Sequence, residues 1–283
     1  LQIIESITEM QKALEPYCAA GKSIALVPTM GYLHAGHMSL VKRARAENDV
    51  VVLSIFVNPT QFSPAEDFEG YPRDLAHDAG LAKRARADFI FAPEVDEMYP
   101  NGYGTFVEVD GPETQGMCAA GRPSHFRGVA TVVEKLLDIV GPDRIYFGQK
   151  DAQQLAVVRK MVKDLNIPVE IVGCPIVREP DGLAMSSRNV YLRPDERQAA
   201  TILYVALKRG AALVEHGEKS SARIIEAVKR VISGEPLADL EYVEIREVAG
   251  FTAPKTISGE IMIAVAARFG RARLIDNVIV NVE

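Results

Sequence analysis

Short apolar runs alternate with amphipathic stretches through the first half of the chain, and this alternation predicts a parallel sheet with helices on both faces. Residues 24–27 form the unbroken apolar run that a buried strand needs. A loop and a stretch of helical spacing follow over residues 36–47, where Leu40, Val41 and Ala44 share one face, and residues 50–57 read as the next strand. Together they make a βαβ unit. Its crossover should be right-handed, because a twisted strand feeding a helix packs back on its sheet only that way. A loop carrying Pro59 and Pro64 leads to a predicted helix over 74–87 and a third strand over 89–92. Residues 99–112 are rich in Gly; within them 105–109 alternate like an exposed edge strand, so the segment reads as an insertion and a candidate dimer edge. Helical spacing returns at 125–140, followed by a fourth strand at 145–147, a helix over 152–165 and a fifth strand at 169–172.

After Pro175 the texture changes. A polar stretch over 178–193 precedes two helical segments, 194–215 and 220–232, with Pro194 suited to a first helical turn. Residues 241–246 and 260–266 alternate as strands, so the tail reads as a smaller α+β domain, and the expected division is 1–176 and 177–283. A length of 283 residues at 48% hydrophobic suits one large core and one small one. No apolar window reaches the ~18 residues of a membrane span. The first residues place Glu5 and Glu9 inside their apolar pattern without a basic start, so the expectation is a cytoplasmic protein with no membrane partner. Cys18, Cys118 and Cys174 are too few and too scattered for a disulfide framework or paired zinc ligands. A net charge of -6 argues against a nucleic acid partner, which would need clustered positive charge, but leaves room for a local anion site.

Ligands bind open parallel sheets at the carboxyl ends of the strands, where loops and helix N-termini converge. The predicted exits are Pro28-Thr29-Met30-Gly31, Asn58-Pro59-Thr60-Gln61, Gly148-Gln149-Lys150-Asp151 and Pro175-Ile176-Val177-Arg178. At the first, Gly31 and Gly36 let the backbone approach a ligand, and His34 and His37 stand at the mouth of a helix whose N–H groups attract anions. Phosphate is the natural guest, although a His pair at this spacing also suits a metal site or a helix cap. Lys150 offers a cation for phosphates and Asp151 a carboxylate for Mg2+; the pair equally fits a solvated helix start. Asn58, Gln61 and Gln154 suit the hydroxyl or carboxylate of a small polar substrate, or simple turn formation. Met185-Ser186-Ser187-Arg188-Asn189 joins two hydroxyls to a guanidinium fork that matches phosphate, as a closing lid or a polar linker. Arg122 with residues 125–128 reads as a helix start with exposed charge or as a further basic edge, Met30 and Met38 read as packing residues, and His77 and His216 are assigned no chemistry.

Taken together, Pro28-Thr29-Met30-Gly31, His34-Ala35-Gly36-His37, the run Phe56 through Phe62, His125-Phe126-Arg127-Gly128-Val129, Lys150-Asp151-Ala152-Gln153-Gln154 and Met185 through Asn189 resemble the pantothenate synthetase family. The likeness spans nearly the full chain. His-x-Gly-His alone indicates only a broader nucleotidyltransferase superfamily, whereas Asn-Pro-x-Gln-Phe and Lys-Asp-x-Gln-Gln in this order are specific. The resemblance implies a Rossmann-like α/β domain with a smaller C-terminal domain, homodimeric assembly, and an ATP-dependent ligase that joins pantoate to β-alanine and releases AMP and pyrophosphate. By matching position it implies ATP contacts at Met30, Gly31, Tyr32, Leu33, His34, Ala35, Gly36, His37, Gly148, Gln149, Lys150, Asp151, Val177, Met185, Ser186, Ser187 and Arg188. It implies pantoate contacts at Gln61 and Gln154, with Gln61 also near β-alanine, and His37 as proton donor. His34 and Lys150 would join His37 in stabilising charge on departing pyrophosphate, with Mg2+ accompanying ATP. Gln149 stands where an acidic residue is frequent, which leaves it a nucleotide-lining role. Two other readings share the His-x-Gly-His grip: nucleotidyl transfer to a phosphorylated small molecule, and a regulatory or scaffold protein that holds ATP without turnover.

Overall fold

In the computed structural model, residues 1–63 and 66–282 are described. The elements run β1 (Gln2–Ile4), α1 (Ile7–Ala19), β2 (Ile24–Thr29), α2 (Ala35–Glu47), β3 (Val50–Ile55), α3 (Leu75–Arg84), β4 (Phe89–Phe91), α4 (Val95–Met98) and α5 (Met117–Gly121). They continue as α6 (His125–Val140), β5 (Arg144–Gly148), α7 (Ala152–Asp164), β6 (Glu170–Cys174), α8 (Pro194–Ala199), α9 (Ile202–Glu215), α10 (Ser221–Ile232), β7 (Asp239–Glu247), β8 (Gly259–Phe269) and β9 (Ala272–Val282). Pro64 of the expected loop lies outside the described residues. The chain forms two compact units: Leu1–Asp110, Arg122–Gln149 and Gln154–Pro175 make the first, and Gly111–Gly121, Lys150–Gln153 and Ile176–Glu283 the second.

The first unit is the expected α/β layer: a six-stranded, wholly parallel sheet in the order β1-β4-β3-β2-β5-β6. Ile24 to Val27 and Val50 to Leu53 are all buried, as strands covered on both faces must be, which is why they read as unbroken apolar runs. From β2 the chain steps outward through β3 to β4, then returns to the other side of β2 for β5 and β6. The order therefore reverses between β2 and β5, the position where open sheets of this kind form a ligand crevice. The sequence predicted five strands here. The sixth, β1, pairs with β4 from Gln2↔Phe89 to Ile4↔Phe91, and at three residues with only Ile4 buried it is too short to show a period. Residues 105–109 form no strand. Val107 N–H donates to Thr131 Oγ1 at 2.9 Å and the Arg127 guanidinium stands 4.7 Å over the Phe106 ring, so that alternation comes from separate contacts with α6 rather than sheet pairing. Residues 105–109 therefore offer no strand edge on which a partner could pair.

The second unit is an antiparallel sheet, β7-β8-β9, with helices packed on it. On α10, Ile224, Val228 and Ile232 recur every four residues and are fully buried, joining Leu203 and Leu207 of α9 against Ile263 and Val265 of β8. Each such side chain contributes about 1.5–3 kcal/mol. The single helix expected over 194–215 is two: α8 ends at Ala199 and α9 starts at Ile202. Between them the Thr201 hydroxyl donates to Gln198 O at 2.8 Å, a local bond that competes with helix continuation. Strand β9, absent from the sequence reading, pairs with β8 along its whole length, from Phe269↔Ala272 to Gly259↔Val282.

Candidate functional site

Strand β2 ends at Thr29, and the loop that follows reverses sharply through two left-handed residues, Gly31 at φ 82° and Tyr32 at φ 49°. Asp78, a fully buried carboxylate on α3, holds that turn by accepting Tyr32 N–H at 2.8 Å and Leu33 N–H at 2.7 Å. A Cβ on Gly31 would lie 3.1 Å from Asp78 Oδ2 and 3.0 Å from Ile55, so the close approach suits glycine on steric grounds as well. The turn delivers His34 as the N-cap of α2 and His37 as its third residue. Gly36 N–H donates to His34 Nδ1 at 3.1 Å, and His34 N–H to His37 Nδ1 at 3.3 Å, while the two rings lie 4.0 Å apart between centroids. An Nδ1 that accepts a backbone N–H carries no proton of its own. In both neutral imidazoles the proton is therefore on Nε2, which makes each ring a hydrogen-bond donor at the helix mouth. With Nδ1 used in capping, the helix-cap and anion-binding readings of the pair become compatible. Beside the loop a cavity of about 220 Å³ is lined by Met30, Gly31, Phe56, Arg73, Asp78 and Glu94 among others.

Beyond β3 the chain enters a 3-10 turn, Pro59–Gln61, capped by Asn58. The Asn58 side chain is fully engaged. Its Nδ2 donates to Gln61 Oε1 and to Gly128 O, both at 3.1 Å, and its Oδ1 accepts from the Tyr99 hydroxyl at 2.8 Å and the Thr60 hydroxyl at 2.9 Å. With 1% exposure it fixes Gln61 rather than offering an amide of its own. Gln61 Nε2 in turn donates to Met30 Sδ at 3.1 Å, so Met30 orients a neighbouring polar group as well as packing. Helix α6 approaches so closely that a Cβ on Gly128 would collide with the Thr60 carbonyl.

At the start of α6 Arg127 is exposed, as expected, but buried His125 and part-buried Arg122 form a brace. His125 Nδ1 lies 2.8 Å from Gln61 O, Arg122 donates to the same oxygen at 3.2 Å, and the Arg122 guanidinium pairs with Glu66 at 2.5 and 2.6 Å. The reason is the Gln61 carbonyl: at the end of a short turn inside the protein it needs donors. Burial pushes the Glu66 carboxyl up, but the hydrogen bond and charge of Arg122 outweigh it and hold the group below its ordinary value.

Strand β5 ends at Gly148 and passes into a 3-10 turn, Gln149–Asp151. The Lys150 ammonium stands 3.7 Å from Asp151, whose side chain is 51% exposed. Gln154 lies partly buried in the first turn of α7, within the first unit. In the second unit Gln153 is structural: Oε1 accepts Cys118 N–H at 2.9 Å, and Nε2 donates to Glu113 O at 3.1 Å and Gly116 O at 3.2 Å. There too Arg178 bridges Ala184, Met185 N–H donates to Val177 O at 3.0 Å, and Ser186 Oγ caps the turn Ser187–Tyr191 by accepting Arg188 N–H at 3.3 Å. The segment containing Met185 to Arg188 is thus a built hairpin and turn, not an open linker.

Among the described residues no three His, Cys, Asp or Glu converge on a common point, and no helix is long and apolar enough to cross a membrane. Asp78 and Tyr99 escaped the sequence reading, and Gly128 appeared there only as part of a motif, without its contacts to Asn58 and Thr60. For Asp78 one signal was present: it precedes Ala82 by four positions and so shares the buried face of α3, where a carboxylate needs a partner.

The Pantoate-beta-alanine ligase family profile matches residues 2–279. A pantothenate synthetase of Heliobacterium modesticaldum is 55% identical over 282 residues, covering 100% of both chains. The crystal structure of pantothenate synthetase from Thermus thermophilus superposes with a TM-score of 0.93 at 46% identity, covering 98% of this chain and 99% of that one. The pantoate-beta-alanine ligase of Francisella tularensis, complexed with beta-gamma ATP and beta-alanine, gives a TM-score of 0.82 at 33% identity over 98% and 97% of the two chains.

Proposed function

Because the chain belongs to the pantoate-beta-alanine ligase family, we propose that it joins pantoate to β-alanine using ATP, through a pantoyl adenylate, with release of AMP and pyrophosphate. A carboxylate and an amine mixed in water form ions rather than an amide, because oxide is a poor leaving group. Adenylation replaces oxide by AMP. A pantoate carboxylate oxygen attacks the α-phosphorus in line, the bond to the bridging oxygen of the β-phosphate breaks, and pyrophosphate leaves with its negative charge. The amine of β-alanine then attacks the acyl carbon, AMP departs, and the amine nitrogen loses its proton. No covalent enzyme nucleophile is needed.

The observation that carries this reading is that Nδ1 of both His34 and His37 accepts a backbone N–H, an arrangement that turns the Nε2–H of each neutral ring into a preorganised donor at the mouth of α2, beside the reversal of strand order. Both Nε2–H groups donate to oxygens of the departing pyrophosphate, with His37 as the proton donor. Lys150 and the Ser186 to Arg188 turn provide further cationic and hydroxyl contacts to phosphate. Met30 to His37, Gly148 to Asp151, Val177 and Met185 to Arg188 hold ATP. Gln61 and Gln154 hold pantoate, Gln61 also serves β-alanine, and Asn58 acts through Gln61. Mg2+ favours hard oxygen ligands and substrate phosphates, and the exposed Asp151 carboxylate fits that chemistry; when bound, the ion neutralises phosphate charge. A cytoplasmic homodimer accords with the family, and sedimentation velocity tests the assembly.

Incubation with ATP, Mg2+ and pantoate should yield enzyme-bound adenylate and pyrophosphate, and addition of β-alanine should release AMP and pantothenate. Pyrophosphate formed only with some other acid or alcohol overturns the substrate assignment. ATP binding without turnover of any acid overturns the enzymatic one.

A further inference from the structure

We propose that Arg178, Asp276 and Asn277 are positioning residues that set Lys150 and the 185–188 turn for their work on ATP. The inference rests on the roles proposed above for those two segments. All the groups involved lie in the second unit.

Asp276 and Asn277 occupy the middle of β9, opposite Val265 and Ala264 of β8, where an antiparallel strand would ordinarily carry apolar or small side chains. Instead Asp276 receives a two-pronged guanidinium, with Arg178 Nη1 at 2.6 Å and Nη2 at 2.9 Å, and also accepts Asn277 N–H at 2.8 Å. The same guanidinium donates to Gly182 O at 3.0 Å and Asn277 O at 3.1 Å and stacks 3.9 Å over the Tyr204 ring. Arg178 thereby closes the hairpin whose bridge pairs Arg178 with Ala184, immediately before Met185. From the neighbouring position Asn277 Nδ2 donates to Lys150 O at 3.1 Å. Lys150 sits in a 3-10 turn of three residues, so fixing its carbonyl fixes the peptide plane between Lys150 and Asp151 and with it the direction in which both side chains leave the backbone.

Stability alone does not call for this arrangement. A buried ion pair is commonly no more stabilising than well-packed apolar residues of the same volume, because desolvation cancels the attraction. Its distinct contribution is geometric, since a planar fork and a carboxylate admit few mutual orientations. Here one such pair sits between the two phosphate-directed segments of the unit, bonded to one directly and to the other through the next residue of its strand.

The test is a double-mutant cycle on pyrophosphate formation in single turnovers, with Asn277→Ala, Lys150→Ala and the double variant of the full chain. Asn277→Ala should slow adenylation by roughly two- to tenfold, the range one neutral hydrogen bond covers, with KM for β-alanine unchanged. In the Lys150→Ala background the same change should cost nothing further, because the residue it positions is gone. Equal losses in both backgrounds mean a general structural role and overturn the proposal, as does an Asn277→Ala enzyme with the wild-type rate. Should Asn277→Ala fail to fold, Asn277→Leu keeps the volume while removing the donor without adding charge, and the same criteria apply. A Lys150→Ala enzyme of wild-type rate refutes the positioning inference while the ligase reading stands. Absence of pyrophosphate from the wild-type enzyme refutes the ligase reading itself, and the inference with it.

Discussion

Replacing Asp78 by Asn isolates the hold that α3 has on the histidine loop. The substitution keeps size and shape, but of two carboxylate oxygens accepting Tyr32 and Leu33 N–H it leaves one, and sets an NH2 donor against an N–H donor at the other. A hydrogen bond to a charged group is worth about 1.5–3 kcal/mol, and a buried donor left without a partner costs a similar amount. One bond is lost and one is weakened to a neutral acceptor, so about 2–4 kcal/mol of stability should disappear. That is a large part of the roughly 5–15 kcal/mol typical of a folded protein, yet short of unfolding it, and corresponds to a fall in urea midpoint of roughly 1 M. The loop residues Gly31 and Tyr32, both at positive φ, would relax once unheld, and His34 and His37 would shift with them. A displacement of about 1 Å in a catalytic group is enough for ~100-fold in rate. Urea titration and single-turnover pyrophosphate release should therefore change together, with kcat affected more than KM for ATP. An Asp78→Asn protein with the wild-type midpoint and wild-type rate refutes the reasoning, and one destabilised as calculated but fully active shows that the carboxylate supports the fold without positioning the histidines.

Further outcomes follow from other contacts. His37→Ala and Lys150→Ala should each depress adenylation by about 10²–10³-fold, as loss of a preorganised charge-stabilising donor does; the melting temperature should stay near wild type for Lys150→Ala and fall by a few degrees for His37→Ala, which also gives up its cap bond to His34 N–H, and unchanged rates remove their catalytic assignment. Gly128→Ala drives a methyl into the Thr60 carbonyl, an overpacking that should cost about 1–3 kcal/mol and raise KM for pantoate by moving Gln61, which calorimetry and pantoate titration together check. Burial pushes the Tyr99 phenol up from 10.0 to about 12. A folded-state value above the unfolded one means that its contribution is complete below the ordinary phenol value and is lost as pH rises toward the raised one. Tyr99→Phe should accordingly lose less stability than the wild type between those limits in parallel denaturant titrations, and identical pH profiles would count against the burial argument.

What the sequence disclosed is the polar and cationic character of the strand exits. Runs such as 24–27 and 50–53 are unbroken because both faces of the sheet are covered, and the polar residues that end them stand out against that background. His34, His37 and Lys150 were legible for this reason. The supports behind them were not. Asp78 lies 45 residues from Leu33 in sequence, and Asn277 lies 127 from Lys150, so no local spacing connects either pair. Asn58 was legible as polar, but its role was not, because its partners Tyr99 and Gly128 come from elements far along the chain. Strand β1 was missed for want of length, and residues 105–109 mimicked a strand because Phe106 and Val107 meet α6 by unrelated contacts.

Strand β9 carries the same lesson to its physical root. From Leu274 onward its alternation is interrupted by Asp276 and Asn277, both buried, and a period that places polar residues inside conceals a strand from any search for alternation. Local pattern and global structure disagree there for a reason: burial pushes the Asp276 carboxyl up from its ordinary value, against the pull of Arg178, so the position is expensive to keep charged. Chains tolerate such conflicts where the geometry they enforce is used, and resolve them elsewhere in favour of apolar packing. The interruption that hid β9 therefore accords with the positioning role proposed for Asp276 and Asn277. In this chain it falls on the residues bonded to Lys150 and Arg178, while the stretches of β8 that pack against α9 and α10 remain uniformly apolar.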